Sequence, residues 1–221
     1  MPRENYQARL DELRADVVAM GALVGERYET AIEAAVTGDA ALADEVVGGD
    51  HEVNETYLAL EDDCTDLLAL QQPVAGDLRL VTASFKIITD LERIADLATN
   101  LAEYGGPDGG VHPAIEFEGL AAAAGDMVAD AVAAYEAGDA EACREIAARD
   151  DDFDERCRRA SEAVVRGLLD ADGGTEGLEA SIDEASRGLL AVRDLERIAD
   201  HAVNVAARTL YMIENDDDLI Y

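Results

Sequence analysis

An eleven-residue frame, Asp-Leu-Glu-Arg-Ile-Ala-Asp-x-Ala-x-Asn, occurs twice in this chain, from Asp90 to Asn100 and from Asp194 to Asn204, at an offset of 104 residues. A second echo precedes it. Gly38-Asp39-Ala40 with Asp50 and Asn54 matches Gly138-Asp139-Ala140 with Asp150 and Asp154, at an offset of 100. Two echoes in the same order mark an internal duplication over most of the chain, which commits it to two similar halves.

Hydrophobic spacing says what each half is built from. Leu10, Leu13, Val17, Met20, Val24, Tyr28, Ala31 and Ala35 recur at spacings of 3 and 4, which predicts a helix over 4–37. Gly38-Asp39 ends it and caps a second helix over 39–71, in which Gly48-Gly49 is a weak point, a kink or a short interruption. Gln72-Pro73 closes that helix, because a residue before proline avoids the α region. A third helix runs over 74–104 and stops at the linker Gly105-Gly106-Pro107-Asp108-Gly109-Gly110. The second half repeats the plan with helices over 113–137, 139–171 and 177–214, a turn at Asp172-Gly173-Gly174-Thr175 and a solvated tail from Asn215 to Asp218. No stretch alternates with period two over a useful length. The expected fold is all-α, two tandem antiparallel three-helix bundles spanning 1–106 and 111–221.

The third helix of each half carries two stripes. Leu80, Ser84, Ile87, Leu91, Ile94, Ala98 and Leu101 form a core seam, while Leu78, Val81, Phe85 and Ile88 lie on another side. Glu92, Asp96 and Asn100 continue that second side at i, i+4, i+8. In the last helix Ile182, Ala185, Leu189 and Val192 lead into Glu196, Asp200 and Asn204. Each helix thus presents an apolar patch followed by a carboxylate patch, and such a patch is expected to meet a partner helix or another chain.

Carboxylates at i, i+4 repel by a few tenths of a kcal/mol, so either a cation or a neighbouring arginine should compensate. If the second and third helices of each half run antiparallel, Asp50 and Asn54 face Glu92 and Asp96, and Asp150 and Asp154 face Glu196 and Asp200. Such hard oxygen donors suit Mg, Ca, Mn or ferric iron, and no thiolate or histidine cluster favours zinc. The alternative is plain. Acidic residues number 50 of 221, so such pairs also arise by chance, and Arg93 and Arg197 can each reach an Asp three residues before and after (Asp90 and Asp96, Asp194 and Asp200). His51, His112 and His201 read as surface groups or as groups behind the ligands. With no nucleophile motif and no Glu-x-x-His, the residues give no catalytic group.

Against 50 acids stand 17 basic residues, a formal net charge of −33, with Lys86 the sole lysine. Apolar residues at 49% are too many for a disordered acidic chain. The combination fits a folded protein of a salt-saturated cytoplasm, as in a halophilic archaeon, where self-repulsion is screened within a few ångströms. It argues against nucleic acid as partner. Cys64, Cys143 and Cys157 form no CxxC pair and read as buried thiols of a reducing compartment. The segment from Met1 to Leu10 is polar rather than a signal peptide, and no apolar run is long enough to span a membrane, so a soluble cytoplasmic protein is expected.

The doubled frame, with Gln72-Pro73-Val74-Ala75-Gly76-Asp77-Leu78-Arg79-Leu80-Val81 and Lys86-Ile87 ahead of its first copy, resembles the signature of the PhoU family of phosphate-transport regulators over essentially the whole chain. The resemblance implies two tandem three-helix bundles, often dimeric, with multinuclear clusters of iron, zinc or another metal on their surface. It implies ligands at Glu92/Asp96 and Glu196/Asp200, and from the second helices at Asp50 and Asp150 with Asn54 and Asp154. Asn54 stands where the family has a carboxylate. Implied partners are the ATPase subunit of a Pst-type ABC phosphate importer and a sensor kinase of phosphate-starvation signalling. The expected role is regulatory and non-enzymatic, with the clusters stiffening one face of each bundle and the apolar stripes meeting the partner. A metal-independent helical adaptor and a carboxylate-bridged metallohydrolase are the alternatives.

Overall fold

The structure, a computed structural model, describes residues 3–71, 73, 75–105, 109–169 and 175–219. Among these it is all helical: α1 Arg3–Thr37, α2 Ala40–Gln71, α3 Gly76–Glu103, α4 Phe117–Ala137, α5 Ala140–Ala148, α6 Asp150–Leu169 and α7 Thr175–Glu214. The turn expected from Asp172 and the centre of the glycine linker lie largely outside the described residues.

The two halves open their second helix with the same device. Gly38 and Gly138 take φ of 69° and 65°, the left-handed conformation that costs glycine nothing, and each ends the helix before it. The next residue then caps the helix that follows. Asp39 Oδ1 accepts from the Ala41 and Leu42 amides at 2.8 and 3.3 Å, and Asp139 Oδ1 from Glu141 and Ala142 at 3.0 and 3.1 Å.

Two expectations are corrected, and a third is met within the chain itself. The single helix expected over 139–171 is two, divided at Arg149, whose amide turns back to Ile146 O at 3.1 Å in a tight last turn. Asp150, Asp151 and Asp152 explain the division: three successive carboxylates are unfavourable inside a helix but favourable in the first turn of a new one. Conversely, α2 passes through Gly48-Gly49 without interruption. Gly49 is instead a site of close approach, where a Cβ would fall 1.5 Å from Nη1 of Arg27. The second stripe of α3, expected to meet a partner helix or another chain, is mostly covered within the chain: Val81 and Ile88 are buried and Phe85 half-buried, leaving Leu78 exposed. The corresponding stripe of α7 is likewise buried at Ala185 and Val192 and exposed at Ile182.

Packing explains that covering. Helices α1, α2 and α3 pack on one another, as do α4, α5, α6 and α7, but α3 also lies along α7 and α1 along α4. One apolar core therefore runs through both halves, with Leu10, Met20, Ile87, Leu91, Ile94, Met127 and Leu195 among its fully buried side chains. Asp90 lies opposite His201, and Arg79, eleven residues earlier on α3, reaches Met212 O, eleven residues later on α7. The two motif helices are therefore antiparallel. Buried hydrogen bonds join the halves elsewhere: Tyr28 Oη donates to Ala121 O at 2.6 Å, and Tyr135 Oη lies 2.6 Å from Ser84 Oγ. Among the described residues no helix is long and apolar enough to cross a membrane.

Candidate functional site

In the second half the break at Arg149 sets the site. It places Asp150 in the first turn of α6 and Asp154 one turn on, against Glu196 and Asp200 of α7. Asp150, Asp154 and Asp200 each bring a carboxylate oxygen within 4.8 Å of the other two. Oδ1 of Asp150 is buried and has no hydrogen-bond partner among the described residues. Burial, and after it the charges of Asp154, Asp200, Asp151 and Glu196, push the Asp150 carboxyl up to about 6. Burial and then Asp154 raise Glu196, with Asp200 adding to it; burial and then Asp154 raise Asp200, opposed by His201 and Arg197. Asp150, Glu196 and Asp200, all raised and all facing the charge of Asp154, make a cluster short of positive charge, half-buried at Asp150 and Glu196 and open to solvent at Asp154 and Asp200.

The first half holds the corresponding residues in a different state. Asn54 Nδ2 donates to Asp50 Oδ2 at 2.8 Å, so the amide occupies one carboxylate oxygen of its neighbour. Arg93 lies 3.5 Å from Glu92 through Nε and donates through Nη1 to Asp96 at 3.2 Å. Glu92 is raised by burial first and then by Asp96 and Asp50, while Arg93 and His201 act against that rise. Asn100 is half-buried on α3, one turn beyond Asp96.

The two arginines differ because the two first-position aspartates of the repeated frame do. Asp194 is fully buried; it accepts from Tyr104 Oη at 2.9 Å and from Arg193 Nη2 at 2.8 Å, and Arg197 is drawn to it at 3.8 Å. Asp90 is satisfied across the halves instead, 2.8 Å from Nδ1 of His201 and accepting from Asn204 Nδ2 at 3.4 Å. Thr89 stands where the second copy has Arg193. Arg93 is thus left to Glu92 and Asp96, while Arg197 is held away from Glu196. Asn204 is placed against the opposite half's Asp90, and His201, expected to be a surface group or a group behind the ligands, helps join the two motif helices through Asp90. Asp90, Asp194 and Tyr104 were not singled out as site residues. The signal for the two aspartates was present, since both open the repeated frame, whereas Tyr104 has no counterpart in the frame.

The chain matches the PhoU domain twice, over residues 17–105 and 117–209. It is 30% identical over 221 positions to a phosphate-specific transport system accessory protein PhoU homolog of Pseudomonas putida, covering 97% of this chain and 82% of the relative. To the Escherichia coli phosphate-specific transport system accessory protein PhoU it is 30% identical, over 96% of this chain and 86% of that protein. The crystal structure of PhoU from Pseudomonas aeruginosa superposes with a TM-score of 0.86 at 29% identity, over 96% of this chain and all of that one. That of the phosphate transport system regulatory protein PhoU from Streptococcus pneumoniae gives 0.85 at 25% identity, over 96% and 98%.

Proposed function

The chain belongs to the PhoU family, and from that premise we propose that it is an accessory regulator of a phosphate-specific ABC importer, acting by binding rather than by turnover. The observation that carries this reading is end-to-end likeness in both repeats to proteins named for that role, at a TM-score of 0.86 for the structure. Its partner is the importer's ATPase subunit on the cytoplasmic side, with a sensor kinase as a further client and a homodimer as the working unit.

The metal belongs to the same reading. Asp150, Asp154, Glu196 and Asp200 would hold the cation, and the unpartnered, buried Oδ1 of Asp150 fits that use. An all-oxygen donor set favours Mn, Mg, Ca or ferric iron over zinc. When bound, the cation supplies the positive charge this cleft lacks and ties α6 to α7. The residues of the chain do the rest: Asp194 draws Arg197 to 3.8 Å, and Asp150 in the first turn of α6 brings its carboxylate beside those of Asp154 and Asp200.

The test is a pull-down of the purified ATPase subunit of a phosphate-specific importer by this chain in high KCl, with and without Mn²⁺. Capture strengthened by Mn²⁺ and lost in Asp150→Asn/Asp154→Asn is the expected result. Equal capture in every arm would favour a metal-independent adaptor, and no capture would overturn the importer as partner.

A further inference from the structure

We infer that the two repeats are functionally unequal: the chain holds its metal in the second repeat alone, and the acids of the first are closed by the protein's own side chains. This deepens the metal reading above and rests on it.

Two independent features close the first cluster. Asn54 brings an amide where the second repeat has Asp154, and a donor N–H replaces an acceptor oxygen there. That N–H is spent on Oδ2 of Asp50 at 2.8 Å, so a cation taking that oxygen must displace it. Arg93 then lies between the remaining two acids, 3.5 Å from Glu92 and 3.2 Å from Asp96. A guanidinium already in contact with both carboxylates repels a second cation at that place. Among the described residues no trio of acids gathers in the first repeat as Asp150, Asp154 and Asp200 do in the second.

The asymmetry follows from how the halves are joined. The pair of Asp90 with His201 leaves Arg93 without the aspartate that its counterpart uses, and Arg93 turns to the cluster. Asp194, with Tyr104 beside it and Arg193 next in sequence, holds Arg197 on its own side at 3.8 Å. The inter-repeat contact that satisfies Asp90 therefore also decides which cluster stays open.

The experiment titrates the full chain with Mn²⁺ in high KCl and reads bound metal by electron paramagnetic resonance and by elemental analysis after desalting. Four forms are compared: wild type, Asp154→Asn/Asp200→Asn, Glu92→Gln/Asp96→Asn, and Asn54→Asp/Arg93→Gln. Circular dichroism confirms that each is folded. Expected is bound Mn²⁺ in wild type, its loss in Asp154→Asn/Asp200→Asn, and no change in Glu92→Gln/Asp96→Asn. Asn54→Asp/Arg93→Gln should bind about twice as much, because it restores the carboxylate and removes the guanidinium. Loss of about half the metal in Glu92→Gln/Asp96→Asn would overturn the inference while leaving the metal reading intact. No metal in wild type would overturn the metal reading, and the inference with it.

Discussion

His201 on α7 and Asp90 on α3 meet with Nδ1 and Oδ1 2.8 Å apart, both nearly buried, across the boundary between two copies of one duplicated unit. An ionised carboxylate has no proton to give, so His201 donates. The duplication predicts a mirror contact from Asp194 to the α3 residue that matches His201, but that residue is Leu97, which is apolar and buried. Asp194 takes Tyr104 and Arg193 instead. One substitution between the copies thus gives the two aspartates different partners and sends the two frame arginines in different directions.

The two aspartates should therefore differ in what they contribute. Hydrogen bonds to a charged group contribute about 1.5–3 kcal/mol, and Asp194 is fully buried with two such donors. Asp194→Asn turns an amide N–H toward Tyr104 or Arg193 and should cost about 2 kcal/mol. Asp90→Asn keeps an oxygen for His201 and should cost about 1 kcal/mol or less. For a domain of this size each kcal/mol corresponds to roughly 2–4 °C in melting temperature. Calorimetry of both variants in one high-salt buffer checks the order; equal shifts would mean that the burial of Asp194 does not matter.

The acids of the second repeat give a pH dependence of definite sign. Asp150 holds its proton up to about 6 in the folded chain, against an ordinary carboxyl value of 3.8. Its ionisation therefore disfavours folding: the penalty is complete above about pH 6 and is relieved as pH falls towards 4. The raised values of Glu196 and Asp200 act in the same direction. In metal-free buffer, Asp150→Asn should melt higher than wild type at pH 7, and the gap should narrow by pH 5. Saturating Mn²⁺ at pH 7 should reverse the order. A gap that does not vary with pH between 5 and 7 would show that the acid is not under strain.

Much of this was legible in the sequence because helices advertise themselves. The Gly-Asp turns at 38–39 and 138–139, the core seam from Ser84 to Leu101 and the pairing of Asp150 and Asp154 with Glu196 and Asp200 all follow from periodicity and chain direction. What could not be read is what depends on contacts between the halves. The burial of Val81 and Ile88 requires knowing that α3 lies along α7. The service of His201 to Asp90 joins residues 111 positions apart, with no local pattern to announce it. The break at Arg149 was visible in principle, since three successive aspartates favour a helix start over a helix middle.

The halves are also joined at α1 and α4, where Tyr28 Oη donates to Ala121 O at 2.6 Å in the interior. Burial pushes the Tyr28 hydroxyl well above the ordinary phenol range, so it remains a neutral donor across the working pH range. Tyr28→Phe keeps the ring against Gly125 and removes only the hydroxyl, a loss of about 1 kcal/mol. The expected result is a melting temperature lower by roughly 2–4 °C with unchanged Mn²⁺ binding. A loss of metal would show that the α1–α4 contact shapes the distant acidic cleft.

The net charge of −33 sets the last expectation, and screening fixes its form. The Debye length is about 10 Å in 0.1 M salt and about 3 Å in 1 M, so repulsion between neighbouring surface acids persists in the first and is nearly gone in the second. Arginine pairs relieve it only locally: Arg158 with Glu155 and Glu162, or Arg149 with Asp130, are exposed pairs whose attraction solvent and salt largely screen. Melting temperature should therefore climb between about 0.1 and about 1 M KCl as the Debye length shortens, and flatten above, with NaCl tracing the same curve. Micromolar Mn²⁺ tests the other contribution, because at that level it adds almost nothing to ionic strength. An increment from Mn²⁺ on the KCl plateau that is absent in Asp150→Asn/Asp154→Asn would separate a bound cation from general screening. If Mn²⁺ raised both forms equally, the acids of α6 would be ordinary surface, and screening alone would account for the stability of this chain in salt.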